Sequence, residues 1–210
     1  MKLYVFPIAP SPTRVRLYLA EKRAAGGRPE LSELQVDLRS GEQKAPAHLA
    51  RNPLGRLPVL ELPDGSFLTE SLAIIEYLEE RWPEPPLIGR TPEQRARVRE
   101  LERIAEHAVL GPIARIVHAT RSPLGLPPSP ELARAGRAAL PEGLARLDGV
   151  LADGRPFLAG ERATIADCTL AAAFQFARFG EVEGPAGYTQ LERWDERYRA
   201  RPAARSVLAA

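Results

Sequence analysis

The sequence contains very little cysteine and histidine. Cys168 is the only cysteine among 210 residues, and there are three histidines. One cysteine cannot form an internal disulfide or supply an all-cysteine metal site. With so few histidines, a histidine-rich metal centre is not expected either. We therefore predict no bound metal, and we interpret Cys168 as a packing residue in an apolar helix.

Long apolar runs and a strong charge imbalance are also missing. No stretch of 18 apolar residues occurs, so the sequence predicts no membrane-spanning helix. The first ten residues lack a long apolar core with a small-residue cleavage site, so we predict no signal peptide. The net charge of +2 gives no reason to expect nucleic acid or an acidic membrane as a partner. We expect a soluble, cytoplasmic protein.

The first 82 residues alternate between short strand-like and helix-like segments. Pro63-Asp64-Gly65 is a hairpin turn signal between two of the strands. Apolar residues at helical spacing predict the helices. The predicted strands are Lys2–Phe6, Leu34–Leu38, Val59–Leu62 and Phe67–Thr69, and the predicted helices are Thr13–Ala24, Lys44–Arg51 and Ser71–Arg81. This order is typical of an α/β domain in which helices pack on a mixed sheet.

Residues 83–90 read PEPPLIGR, with three prolines in four positions, and cannot continue a helix. After this segment strand signals nearly disappear. The predicted helices are Pro92–Thr120, with a possible interruption at Gly111-Pro112, then Pro130–Leu151, Thr164–Phe179 and Leu191–Ala200. The sequence thus predicts an α/β domain over 1–82, a linker over 83–90 and an all-α domain over 91–210.

The segment Asn52–Leu60 contains a proline, Pro58, directly before a predicted strand. A cis Leu57–Pro58 bond would turn the Leu57 backbone outward, where it could pair with an extended peptide ligand. An ordinary turn into the strand is the alternative. Further on, Glu70 and Ser71 open a helix, whose unpaired amides favour an anion. Ser71 could instead simply cap its own helix.

The order of these pieces resembles that of the cytosolic glutathione transferase family. The shared features are the βαβ start, the NPLGRLPVL segment, the TESLAI helix start, the proline linker and Thr164–Asp167, which resembles the family's capping box. The resemblance implies a thioredoxin-like first domain, an all-helical second domain and a homodimer. It implies that the protein conjugates glutathione, the cosubstrate, to small hydrophobic electrophiles in detoxification.

The resemblance also implies roles for individual residues. Leu57, before Pro58, would pair its backbone with the cysteinyl part of glutathione. Ser71 would bind the γ-glutamyl carboxylate and Glu70 its ammonium, which agrees with the electrostatics of a helix start. Gln43 would lie near the glycyl end, although a solvated loop glutamine is the alternative. Arg14 and Arg56 are further cations near this region.

The thiol of glutathione must ionise near neutral pH, and a hydroxyl donor can assist. Ser-type relatives place a serine before a segment like Arg14-Val15-Arg16, but the matching position here is Ala9. We therefore predict Ser11 as the catalytic hydroxyl. A helix N-cap followed by Pro12 is an equally good interpretation of Ser11. Thr13, Tyr4 and backbone amides are the other candidates, with Tyr4 expected in the core.

The long helix after the linker should line the pocket for the second substrate. The candidates are Glu106, His107, Leu110, Ile113, Ala114 and Val117, although the same spacing is that of a plain core stripe. His107 and His118 are too far apart for a metal pair and are interpreted as ordinary helix histidines. His48 is expected on a solvated helix face.

Two alternatives stay open for the function. One is a glutathione-dependent isomerase or dehalogenase, which would share the first half of the chain. The Ser-Ser-Cys-type motif of zeta-type isomerases is absent at Ala9-Pro10-Ser11. The other is a non-catalytic binding module that has lost the hydroxyl, as Ala9 would allow.

Overall fold

A computed structural model describes residues 1–208. Four short strands form one mixed sheet in the order β2-β1-β3-β4. β1 pairs in parallel with β2, and β3 pairs antiparallel with both β1 and β4. The strands are β1 Lys2–Val5, β2 Ser32–Gln35, β3 Val59–Glu61 and β4 Phe67–Thr69. The predicted α/β class of the first half is confirmed.

The helices of the first half are α1 Pro10–Ala24, α2 Pro46–Leu49 and α3 Ser71–Arg81, with a 3-10 turn at Glu42–Lys44 before α2. Leu3, Val5 and Leu60 of the sheet lie in the core with apolar residues of α1 and α3. The opposite side of the sheet buries a smaller cluster, Tyr4, Val36 and Val59. The strands therefore contribute alternate side chains to two faces, as strand geometry requires.

The second half is entirely helical over the residues the structure describes. Its helices are α4 Pro92–Ile104, a π-helical segment Ala105–Leu110, α5 Gly111–Thr120, α6 Pro130–Val150, α7 Ile165–Phe179, α8 Thr189–Ala200 and α9 Pro202–Arg205. α4, the π segment and α5 follow one another without a break, so the predicted long helix exists. Its irregularity lies just before Gly111-Pro112 rather than at it. None of the helices within residues 1–208 combines the length and apolar character needed to cross a membrane.

α6 approaches the π segment unusually closely. A Cβ atom at Gly143 would lie 2.2 Å from the carbonyl oxygen of Ala108. Only a residue without a side chain fits there, so Gly143 permits the contact between α6 and the segment that precedes α5. Pro141 also lies inside α6, two residues before Gly143.

α7 is the centre of the molecule. The Thr164–Asp167 capping box is formed, as the sequence predicts. Asp167 also accepts hydrogen bonds from the Leu158 backbone N–H (2.9 Å) and the Trp194 indole N–H (3.1 Å). Cys168 is buried in the core, which confirms its predicted packing role. One continuous apolar core joins α7 to both halves of the chain, and the exact domain boundaries stay a prediction.

A buried ion pair attaches the linker to the first half. The Lys22 ammonium of α1 donates to the Glu79 carboxylate of α3 (2.6 Å) and to the Pro85 carbonyl (2.7 Å). Glu79 also accepts from the Tyr18 hydroxyl (2.7 Å) and the Leu87 backbone N–H (2.6 Å). Both charged side chains are almost completely buried. The pair thus holds α1, α3 and the linker together.

Two predicted boundaries in the first half are wrong. α1 begins at Pro10, with Ala9 as the extended N-cap residue, so Ser11 is not the cap. The prediction placed proline after the cap correctly but chose the second of two prolines, Pro12 instead of Pro10. β2 covers Ser32–Gln35 rather than Leu34–Leu38, because its backbone pairs with β1 through Ser32 and the chain turns after Val36.

Candidate functional site

The N-terminus of α1 lies where two cavities meet. The first has a volume of about 490 Å³ and the second about 670 Å³. The residues that line both cavities are Ala9, Pro10, Leu57 and His118. This shared wall brings together the start of α1, the residue before β3 and the end of α5. An extended ligand at this wall would have space on both sides.

The first turn of α1 offers one unused backbone donor. Pro10 and Pro12 carry no N–H, and the Thr13 N–H donates to the Ala9 carbonyl (3.0 Å). Of the amides that a helix start leaves free, only that of Ser11 remains in this turn. Ser11 is half-buried, lines the second cavity, and its hydroxyl has no hydrogen-bond partner within residues 1–208. An anion beside Ala9 would meet one amide and one hydroxyl from the same residue.

The other two hydroxyls considered for the site are already used. The Thr13 hydroxyl is buried and lies 2.9 Å from both the Pro7 and Ala9 carbonyl oxygens. Tyr4 donates to the Glu61 carboxylate (2.7 Å) and is buried on the far side of the sheet, which confirms its expected place in the core. Burial and this hydrogen bond raise the pKa of Tyr4. Neither side chain lines the two cavities.

The first cavity contains the residues between α2 and β3. The Leu57–Pro58 peptide bond is cis, which confirms that alternative of the prediction. Gln43, on the 3-10 turn, is buried rather than solvated, and its side-chain oxygen has no partner in the described part of the chain. Lys44 and Arg56 lie on the same wall, and no carboxylate side chain does. This wall suits a ligand that carries a negative charge.

His48 and Asn52 hold the backbone that leads into this wall. Both side chains form a hydrogen bond with the Arg56 carbonyl oxygen, which is 3.1 Å from His48 Nε2 and 3.0 Å from Asn52 Nδ2. His48 is 1% exposed, so its expected place on a solvated helix face is wrong. The spacing of apolar and polar residues in α2, which has only four residues, could not show that the following loop covers His48.

Glu70 and Ser71 lie at the start of α3, outside the two cavity walls. Glu70 is exposed, with a φ of 64°. Such a left-handed backbone is rare for a residue with a side chain and is often found at functional positions. Ser71 is buried, and its hydroxyl oxygen accepts a hydrogen bond from Arg14 Nε (2.7 Å). Its own hydroxyl proton is therefore free to point to another acceptor.

Arg14 joins this helix start to the helical half of the molecule. Its guanidinium donates to Glu102 (2.9 Å) and to Glu106 (2.5 Å), and Arg103 donates to the same two carboxylates. Burial raises the pKa of Glu102 against the pull of Arg14. Burial also opposes the ionisation of Glu106, but Arg14 and Arg103 hold its pKa below the usual value. Glu106 is thus a carboxylate whose charge is matched by two arginines.

His118 is the only residue on the shared wall with a titratable side chain. It is half-buried, its ring lies beside that of Phe176, and its Nδ1 is 3.1 Å from the Ser122 hydroxyl oxygen. Burial lowers the pKa of His118, so the imidazole is neutral at pH 7. The sequence interpretation of an ordinary helix histidine missed this position, because the loop that carries Ser122 could not be placed from periodicity.

The predicted pocket-lining stripe is correct in part. Glu106, His107, Leu110 and Ala114 line the second cavity, whereas Ile113 and Val117 are fully buried in the core. Arg115, which was not predicted, lines this cavity as well. Within residues 1–208 no group of three or more His, Cys, Asp or Glu is placed to hold a metal ion.

The fold and site define a class of protein: a thioredoxin-like sheet domain followed by a helical domain, with two cavities that meet at the start of α1. Family models agree. Residues 9–81 match the glutathione S-transferase N-terminal domain, and residues 129–200 match the glutathione S-transferase C-terminal domain. The chain belongs to the glutathione S-transferase family.

Individual relatives extend this result over the whole chain. It is 33% identical over 214 residues to glutathione S-transferase 2 of Saccharomyces cerevisiae, covering 99% of this chain and 89% of the relative. It is 46% identical over 101 residues to a maleylacetoacetate isomerase of Pseudomonas aeruginosa, covering 47% of this chain and 45% of the relative. A glutathione S-transferase domain-containing protein of Marinobacter aquaeolei superposes with a TM-score of 0.87 at 35% identity, covering 97% of this chain and 100% of that one.

Proposed function

We propose that this glutathione transferase binds glutathione along the shared wall and joins its thiolate to small hydrophobic electrophiles. The observation that carries the proposal is the meeting of two cavities at the start of α1, where the Ser11 amide and hydroxyl have no partner among residues 1–208. A helix N-terminus stabilises an anion, and here the anion would be the thiolate. The cavity beside it leaves space for the second substrate.

We assign the three parts of glutathione to three groups of residues. The glycyl end lies by Gln43, where Lys44 and Arg56 supply positive charge and the Gln43 side-chain oxygen has no hydrogen-bond partner in the part of the chain that the structure describes. The cysteinyl part pairs with the Leu57 backbone before Pro58. The γ-glutamyl carboxylate accepts from Ser71, whose oxygen is already engaged by Arg14, and its ammonium lies by Glu70. The last two assignments rest on the family pattern.

The thiolate is stabilised by donors at the start of α1. In this proposal Ser11 is the catalytic residue, because its hydroxyl and amide are the available donors there. His118 is neutral at pH 7 and borders both cavities, so it is placed to accept the thiol proton, directly or through one water. The thiolate then forms the bond to the electrophile, and the leaving group departs with its electron pair.

Turnover of 1-chloro-2,4-dinitrobenzene tests this assignment. Wild type should conjugate it in a reaction that requires glutathione, and Ser11→Ala should lower kcat/KM by about 10²-fold, as expected for a lost oxyanion donor. Ser32→Ala, which changes an exposed serine of β2 that lines neither cavity, is the matched control. Full activity in Ser11→Ala would show that the amide alone suffices and would remove the hydroxyl from the mechanism.

An isomerase is the second candidate, since the chain is similar over about half its length to a maleylacetoacetate isomerase. The two reactions differ in what happens to glutathione. Conjugation consumes one glutathione per product, whereas cis–trans isomerisation regenerates it. A cis-dienoic acid that isomerises while the free thiol concentration stays constant would favour the isomerase. A non-catalytic module would turn over neither substrate.

We further propose a cytoplasmic homodimer without a metal cofactor, as the family pattern implies. Sedimentation velocity with and without glutathione tests the assembly. A mass of twice 23.0 kDa would support it, and a single monomeric species across micromolar concentrations would contradict it.

A further inference from the structure

The second cavity carries a positive charge that pairs with no acidic side chain within residues 1–208. Its wall includes Arg115 of α5 and a single acidic residue, Glu106. The Glu106 carboxylate is already engaged by Arg14 and Arg103. Arg115 is exposed and makes no hydrogen bond or ion pair with any residue in 1–208. A guanidinium on a cavity wall without an acidic partner favours an anionic ligand there.

The position of this charge relates it to the reacting sulfur. Arg115 precedes His118 of the shared wall by three residues in α5, so both point from the same side of the helix. Three residues span about 4.5 Å along the helix axis, slightly less than one turn. An electrophile whose reacting carbon lies at the shared wall would therefore bring a substituent close to Arg115, if one ring or a short chain joins that substituent to the reacting carbon.

Part of the second cavity suits a carbon skeleton. Besides the polar side chains of Ser11, Glu106, His107 and His118, its wall includes apolar ones, namely Leu110, Pro112, Ala114 and Ala139. An apolar body with one anionic end would bury its carbon surface here and keep its charge on a planar guanidinium, which binds carboxylate in a bidentate way. A neutral hydrophobic electrophile would use the apolar wall but not Arg115.

We propose that the preferred electrophiles are small hydrophobic molecules that carry a carboxylate, and that Arg115 is the residue that selects them. This inference rests on the proposed transferase function and narrows its substrate class. The Arg115 guanidinium binds the carboxylate on the wall of the second cavity. The reacting carbon then lies at the shared wall, beside the glutathione sulfur.

A matched pair of aryl chlorides tests the proposal. The probes are 4-chloro-3-nitrobenzoate and 4-chloro-3-nitrobenzamide, which have the same size and leaving group and differ in charge. In both, sulfur bonds to the ring carbon, chloride leaves with the bonding pair, and the thiol proton passes to the base and then to solvent. The readout is the ratio of kcat/KM for the acid to that for the amide, corrected for the uncatalysed rates.

Wild type should prefer the acid by about tenfold, the size of one charge-assisted hydrogen bond. Arg115→Gln should bring the ratio close to one, and Arg115→Lys should keep part of the preference because it keeps the charge. Arg193→Gln is the matched control, since it removes an exposed arginine of α8 that lines neither cavity and should leave the ratio unchanged.

Each result has one consequence. A ratio near one in wild type that Arg115→Gln does not alter would overturn the selection by Arg115 and leave the transferase function intact. A preference for the acid that survives in Arg115→Gln would overturn the role of this residue. If neither probe reacts, and 1-chloro-2,4-dinitrobenzene does not react either, the transferase function fails and this inference fails with it.

Discussion

At the scale of single residues, the proposed site is marked by polar atoms that have no other partner. The Ser11 hydroxyl and the Gln43 oxygen have no hydrogen-bond partner within residues 1–208, whereas the Thr13 and Tyr4 hydroxyls are already engaged. A buried or half-buried polar group without a partner is costly unless a ligand completes it. This difference separates Ser11 from the other two hydroxyls, which the sequence could not do.

The proposed role of His118 predicts how kcat/KM depends on pH. Because burial lowers its pKa below the ordinary 6.5, the imidazole stays neutral until the solution is more acidic than that. We expect kcat/KM to fall with an apparent pKa below 6.5 as pH is lowered. His118→Gln should lose about 10²-fold in kcat/KM and show no such acid limb.

The measurement is a pH profile at saturating glutathione, with circular dichroism at each pH to confirm that the fold is intact. An unchanged acid limb in His118→Gln would assign the titration to another group. Loss of activity at all pH values without any change in the shape of the profile would argue against a role for the imidazole in proton transfer.

Local signals predicted some residues correctly and could not reach others. The cis bond before Pro58, the start of α3 at Ser71 and the Thr164–Asp167 box all depend on neighbours within a few positions. The burial of His48 and the hydrogen bond between Arg14 and Ser71 join residues that are distant in sequence or lie under a loop. Periodicity carries no information about such contacts.

At the scale of elements, the long helix and α6 fix the second cavity. The π segment lies where α6 comes closest, and π turns are often found at functional sites. The sequence predicted an interruption of this helix at Gly111-Pro112 and no π turn before it. The segment carries Glu106, His107 and Leu110, so its geometry decides which side chains of this stretch reach the cavity.

Gly143→Ala should disturb this contact. The added methyl group would meet the Ala108 carbonyl oxygen at 2.2 Å, so α6 must shift, and we expect a loss of about 1–3 kcal/mol in the free energy of unfolding. Gly149→Ala, in the same helix with nothing within 4 Å, should instead gain up to about 1 kcal/mol from helix propensity. Urea unfolding of both variants measures the two changes, and equal effects would contradict the close contact.

Asp167 at the start of α7 makes stability depend on pH. Burial raises its pKa from 3.8 to about 6, although four hydrogen bonds to backbone and side-chain donors oppose this shift. The folded state therefore holds the proton more tightly than the unfolded state does. The contribution of Asp167 to stability should fall as pH rises from about 4 to about 6.

Asp167→Asn isolates this effect, because the amide does not titrate. Asparagine also brings an N–H₂ donor to a position that is surrounded by other donors. The variant should therefore have a free energy of unfolding about 1–3 kcal/mol lower than wild type at all these pH values. The gap between wild type and variant should be larger at pH 4 than at pH 7. A gap that grows with pH would show that Asp167 has a lowered pKa in the folded state.

At the scale of the whole molecule, one core and the buried Arg14–Glu102 ion pair join the two halves, and the buried Lys22–Glu79 pair attaches the linker to the first half. Because strand signals nearly disappear after the proline-rich segment, the sequence predicted an α/β part followed by a helical part, and both are confirmed. The sequence did not predict that Lys22 and Glu79 would be buried, since charged residues on helices are usually solvated. Their burial follows from the path of the linker, which covers them and supplies the Pro85 carbonyl.

Breaking this pair should weaken the whole structure. Burial lowers the pKa of Lys22, and Glu79 opposes this shift. Glu79→Gln leaves a buried ammonium without its counter-charge, so we expect a loss of about 3–5 kcal/mol in the free energy of unfolding. Glu84→Gln, which breaks the exposed pair with Arg90, is the control and should change the urea midpoint little. Equal effects of the two single variants would contradict the role of burial.

The central claim is that glutathione binds at the start of α1 with its sulfur as a thiolate, and the thiol pKa of bound glutathione tests it most directly. Ultraviolet difference titration of the purified protein with saturating glutathione measures thiolate formation against pH. We predict that the thiol pKa of bound glutathione lies at least one unit below the ordinary cysteine value of about 8.5, and that it is higher in Ser11→Ala than in wild type. A bound thiol that titrates as it does in free solution, or no binding at millimolar glutathione, would contradict thiolate binding at the start of α1.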